Sequence, residues 1–194
     1  MKKRDCMAES FEETMMGAQP FFSMQDFYGG SIHARLAIAQ MLYPDLAPIL
    51  AGDEPFARLL AQAVLGQQEL ARIMADLDLG ALCVVCGVKA GGGCCSSFMA
   101  GENDVPQLLI NLLAGVPVAV LREDAECCFL GERGCLLLFK PMFCLNYNCQ
   151  QIRQGAGPAR MQKLDQAAGC LLQQQYGLEQ LLLAFLRQRG TLIG

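Results

Sequence analysis

Nine of the chain's eleven cysteines fall between Cys83 and Cys149, and no other feature restricts its folding as tightly. They form two knots: CVVCGVKAGGGCC at residues 83–95 and CCFLGERGCLLLFKPMFCLNYNC at residues 127–149. Disulfides, a redox pair, packed thiols and a metal centre are the chemistries open to such a pattern, and compartment decides among them first. The N-terminal MKKRDCMAESFEETMMG carries Asp5, Glu9, Glu12 and Glu13 and lacks the apolar run of a signal peptide. The longest apolar stretch, Leu178 to Leu186, is broken by Glu179 and Gln180 and is too short to span a bilayer. A cytoplasmic protein without a membrane segment is therefore expected. In a reducing compartment clustered cysteines serve metal or redox chemistry more often than disulfides, and an odd total suits a disulfide framework poorly.

At 194 residues with 53% hydrophobic composition, the chain can bury a core without covalent staples and reads as a single domain, 1–194. Its net charge of −4 and scattered Lys and Arg give no basic stripe to neutralise phosphates, so nucleic acid is not an expected partner.

Residues 1–23 read as a loose leader broken by Asp5, Ser10, Gly17 and Pro20, with Phe21 and Phe22 able to pin its end to the body. Helices follow over 24–80. Ser31 is a candidate N-cap for a helix to about Tyr43, with Ile32, Leu36, Ala39 and Tyr43 on one face and Pro44 and Pro48 ending it. Asp53, followed by Pro55, caps a stronger helix in which Phe56, Leu59, Leu60, Val64, Leu70, Ile73, Met74 and Leu77 keep the 3.6-residue period. Gly87, Gly91, Gly92 and Gly93 make the first knot a loop. Asp104 caps a short helix closed by Gly115 and Pro117, and VPVAVL after it resembles a brief strand. Pro158 opens a C-terminal helical pair, 158–190, which Gly177 divides. Met161, Leu164, Ala168, Leu171 and Leu172 line its first part; Leu178, Leu181, Leu182, Phe185 and Leu186 line its second.

A lone Cys-x-x-Cys is weak. Here Cys83 and Cys86 are joined by Cys94 and Cys95 and by Cys127, Cys128, Cys135, Cys144 and Cys149. Soft thiolates in such groups select zinc or iron–sulfur clusters over oxygen-seeking ions, and intervening glycines let the backbone fold around the centre. Cys170, on an amphipathic helix, and Cys6 are read as packed thiols instead. The βαβ context of a thioredoxin-type pair is absent. His33, the single histidine, lies far from both knots and suits a structural role; Asp76, Asp78, Glu123, Asp124 and Glu126 flank the knots as solvated charges or oxygen ligands. Arg122, Arg133 and Lys140 could offset the charge of a thiolate centre.

The second knot resembles the YkgJ-type cysteine cluster family, the zinc- or iron-chelating domain named for its CxxCxxCC motif. Cys127, Phe129 and Leu130 match its Cys-Pro-Phe-Leu start, with Cys128 in the proline's place; Cys135, Lys140-Pro141, Cys144, Tyr147 and Cys149 follow its later pattern. Upstream, Cys83, Cys86, Cys94 and Cys95 match the naming motif. The resemblance covers about residues 80–152. Seven residues separate Cys86 from Cys94 where the family usually has two, and Lys140 replaces an arginine. Some relatives are linked to flagellin lysine methylation and are thought to carry an iron–sulfur cluster, but this chain has no motif for a methyl donor.

The reading is a mainly α-helical fold with an irregular cysteine-rich metal-binding module over 81–152. It holds an iron–sulfur cluster, 4Fe-4S by preference, or zinc through Cys83, Cys86, Cys94, Cys95, Cys127, Cys135, Cys144 and Cys149. The expected role is redox or sensing. The alternatives are a metal-dependent enzyme, such as a protein-modifying transferase, or a structural zinc site in an interaction protein. The resemblance makes Cys127 the ligand of its pair and Cys128 dispensable.

Overall fold

Three short polar residues set the helical frame. The computed structural model describes residues 21–87, 95–120, 127–132, 134–146 and 149–193, with backbone alone at Cys83, Cys86, Gly87 and Gln151. The leader 1–20 and the remainder of the first knot, 88–94, lie outside the described residues. The Ser31 hydroxyl accepts from the Ala34 N–H at 3.2 Å and starts α2, Ile32–Gly52, after a short α1, Met24–Tyr28. The Asp53 carboxylate accepts from Phe56 N–H at 2.9 Å and starts α3, Glu54–Asp76; Asp104 accepts from Gln107 N–H at 2.7 Å and starts α6, Val105–Leu113. Each cap satisfies a backbone donor that the first helical turn cannot. Between α3 and α6 lie α4, Leu79–Gly87, and α5, Ser97–Gly101; after α6 come a small hairpin, α7 (Met142–Asn146) and α8 (Gln150–Gln188). The fold is mainly helical, with eight helices among the described residues.

The predicted stop at Tyr43 does not occur. α2 runs through Pro44 and Pro48 to Gly52. Both prolines are exposed, so the carbonyls they leave unbonded face water, while Leu42, Leu46 and Leu50 on the opposite side are buried. Burying three leucines is worth about 1.5–3 kcal/mol each, against a cost of about 3 kcal/mol per interior proline. The periodic face wins.

α8 likewise ignores Gly177. Its break falls at Gly157 (φ 73°, ψ 165°), just before Pro158, in a left-handed conformation that glycine tolerates. Gly177 instead lets α3 and α8 approach: a Cβ there would stand 2.9 Å from Leu59 Cδ2. Along this seam Phe56, Ala63 and Leu70 of α3 are buried, as are Leu164, Ala168, Leu171, Leu178 and Leu182 of α8. α2 packs on α6, and Phe27, Leu108, Leu109 and Ile110 complete the core.

Two tiny sheets decorate the helices. β1 (Phe22–Ser23) pairs in parallel with β4 (Leu192–Ile193), so Phe22 does pin the leader's end whereas Phe21 is exposed. β2 (Leu130–Gly131) pairs antiparallel with β3 (Gly134–Cys135). The strand expected from VPVAVL is absent over 116–120. Buried Val118 is anchored there by a side chain instead, Gln40 Nε2 donating to its carbonyl at 3.2 Å.

Candidate metal centre

The first knot does not begin as a loop. Cys83 and Cys86 lie on α4, because the apolar run LGALCVVCG precedes the glycine cluster and can satisfy its own backbone as helix. Their i, i+3 spacing puts both residues on one side of that helix. α4 packs against β2 and β3, and a Cβ on Gly134 would stand 3.7 Å from the Gly80 Cα. The start of the first knot thus lies on a helix packed against the second.

The second knot is built on that hairpin. Leu130 N–H donates to the Cys127 carbonyl at 3.0 Å, forming a turn that leads into β2, and Cys135 stands opposite Leu130 across the ladder. Beyond β3 the backbone is held from two helices. Asn111 of α6, fully buried, accepts from Phe139 N–H and donates to Phe139 C=O, both at 2.9 Å, and also donates to Gln107 C=O. Gln175 of α8 donates to the Lys140 carbonyl at 2.9 Å. These side chains imitate a neighbouring strand. They fix the segment between Cys135 and Cys144, the latter on α7.

A cleft of about 400 Å³ lies between the hairpin, α3, α4, α7 and α8, and Cys95, Cys127, Cys135 and Cys144 all line it. One thiol comes from the first knot and three from the second. Cys128 is buried like its neighbour but is not among the lining residues. Cys149 is the N-cap position of α8 without a side-chain cap bond, and it too is not among those lining the cleft. Cys94 lies outside the described residues, as do Tyr147, Arg122, Arg133, Glu123, Asp124 and Glu126. Cys170 is exposed on α8, so its reading as a packed thiol is corrected: it falls on the solvent side of the amphipathic helix.

Burial raises the Cys127 thiol above its ordinary range, with a smaller push from nearby Cys135. Burial pushes Cys128 up to about 11, with Cys127 adding to it. Each is a protonated thiol at neutral pH, so a metal at Cys127 must displace a proton. The donor set has the soft chemistry that zinc and iron–sulfur centres take. Among the described residues, however, no three Cys, His, Asp or Glu side chains are gathered closely enough to coordinate one ion. His33 is exposed on α2; Asp76 is exposed and pairs with Arg72 at 3.4 Å.

The sequence reading missed the buried polar residues, Asn111, Gln175 and Arg35, whose roles depend on backbone brought from far along the chain. Arg35 donates to Gly101 C=O at 2.7 Å and helps surround Asp104. Burial, with the Glu179 charge adding to it, pushes Asp104 up to about 6, while Arg35 acts against this. Tyr28 donates to Glu179, and its hydroxyl is raised by burial first and then by that carboxylate.

Comparison of the chain with protein-family models, with curated proteins and with solved structures finds no match.

Proposed function

We propose that the chain binds a metal centre, an iron–sulfur cluster or zinc, through the cysteines of its two knots. The observation that carries this reading is the meeting of Cys95 with Cys127, Cys135 and Cys144 on one cleft although they are distant in sequence. Cys83 and Cys86, on the helix packed beside the hairpin, are further candidate ligands. Four soft donors facing one space suit either centre, and metal binding supplies the free energy that draws thiols together and strips their protons. An accessible centre for redox or sensing is favoured over a closed structural site by the exposure of Cys144 and of Phe143 and Leu136 at the cleft.

Anaerobic purification followed by metal and sulfide analysis tests the reading. Visible absorption that bleaches with dithionite identifies an iron–sulfur centre; a colourless protein with stoichiometric zinc identifies the other. Protein that holds neither metal, even after reconstitution, overturns the proposal. Ligand choice is tested by two serine variants. Cys127→Ser should lose most of the bound metal, whereas Cys128→Ser, away from the cleft lining, should keep nearly all of it.

A further inference from the structure

The cysteine-lined cleft is too large for a metal ion. With liquid water occupying about 30 Å³ per molecule, a 400 Å³ space corresponds to about thirteen such units. A zinc ion takes about one of them, since the surrounding sulfurs belong to the wall itself. Even an eight-atom cubane leaves part of the space over.

The surplus is apolar and graded. Its floor is Leu70, Leu79, Leu137 and Leu164, each 2–3% exposed, and its outer edge is Leu136 and Phe143, 42% and 47% exposed. Ala71 and Ala75 leave the α3 wall low. Gln67 and Lys140 are the polar side chains among the described lining residues, thiols aside. Lys140 is half-buried, and its charge is the one counterweight to bound thiolates among the described lining residues. Among the described lining residues a cationic guest has no partner and an anionic one must compete with bound thiolates for Lys140; an unpaired buried charge costs several kcal/mol or more. An uncharged apolar guest meets no such cost, and pockets of about 300–1,000 Å³ with mainly apolar walls are typical small-molecule sites.

We infer that the cleft binds a small uncharged apolar molecule, up to about a dozen non-hydrogen atoms, against the wall that carries Cys95, Cys127, Cys135 and Cys144. The guest enters between Leu136 and Phe143 and seats on Leu70, Leu79 and Leu164. The site shares its space with the proposed metal centre but does not require it.

Full-length protein, purified anaerobically and assayed for metal in the same sample, is labelled at its methionine methyls. It is then titrated with 1-octanol, octanoate and octylammonium. Met74 and Met99 line the cleft and report occupancy directly. Octanol should shift both methyls saturably, and each charged analogue should bind at least tenfold more weakly. Ala71→Phe should abolish the octanol shifts while helical content stays unchanged; Ala75→Phe serves if the first variant does not fold. Unmoved Met74 and Met99 methyls overturn the inference, as does equal binding of all three probes. Protein that stays metal-free after reconstitution and still binds octanol would remove the proposed centre and leave this site standing.

Discussion

The helical frame and the hairpin region are held by different forces. α3 and α8 meet along an apolar seam with Ala63 and Leu178 fully buried, and such a seam needs no partner beyond itself. The described residues of 127–146 contain two strand residues on each side of the hairpin and one five-residue helix. Their backbone is tied down by Asn111 and Gln175, which belong to the frame. The frame is self-supporting and the cysteine region is suspended from it. Damage to the frame should therefore reach the cleft, while damage at the cleft should leave the frame intact.

The strongest way to break this contrast is to remove the proposed metal. Structural zinc contributes about 10–16 kcal/mol to the folding of small metal-dependent units. Chelation should sharply raise proteolysis across residues 83–149 and spare the helix from Glu54 to Asp76. Unchanged cleavage after verified metal removal would show that the hairpin region stands without a centre. Next comes the seam. Leu178→Ala should cost about 2–5 kcal/mol in denaturant unfolding and lower metal retention with it, because α8 also carries Gln175. Retained metal in a strongly destabilised protein would uncouple the two regions.

Asn111→Leu sharpens the contrast from the other side. It strands the N–H and C=O of Phe139, at about 1–3 kcal/mol for each buried group. Hydrogen exchange should accelerate at Phe139 and Lys140, with little change in α3. Asn111→Asp keeps the acceptor but sets a buried carboxylate against the Phe139 and Gln107 carbonyls, so its effect should be at least as large at neutral pH.

The smallest effect lies at the frame's polar junction. Asp104 holds its proton more tightly in the folded chain, near pH 6, than in the unfolded chain, near pH 4. Between those values the folded state binds more protons, so this group's contribution falls as pH rises through the window. Asp104→Asn keeps a competent cap and removes the buried charge. Its stability should exceed the parent's above pH 6, by about 1 kcal/mol after solvent screening. The advantage should shrink toward pH 4. An equal difference at both ends would assign the shift to another group; Glu179, Tyr28, Arg35 and Arg187 are the neighbours to vary.

The two regions were also unequally legible in the sequence. Ser31, Asp53 and Asp104 announced their helices because capping is local: one side chain, one backbone N–H three residues on. The apolar faces of α3 and α8 were legible for the same reason. Pro44, Pro48 and Gly177 misled because their usual effect on a helix was outweighed by packing against elements far along the chain. Cys83 and Cys86 were taken for loop because the glycines after them lie so close. The cysteine spacing pointed to both knots in one module, and Cys95 does line a cleft with three cysteines of the second knot. The hold of Asn111 on Phe139, by contrast, depends on distant backbone and left no local trace.

The pairing of Phe22–Ser23 with Leu192–Ile193 has a bearing on the order of folding. Its partners are separated by about 170 residues, and closing so long a loop costs about 4–5 kcal/mol in chain entropy unless the intervening structure is already formed. Two residues on each side cannot supply that alone. On a ribosome Phe22 emerges about 170 residues before Leu192 and must wait for it, so this strand pairing is a late event in assembly. Unfolding should reverse this order, with Phe22 and Thr191, joined at 2.9 Å, among the first to part.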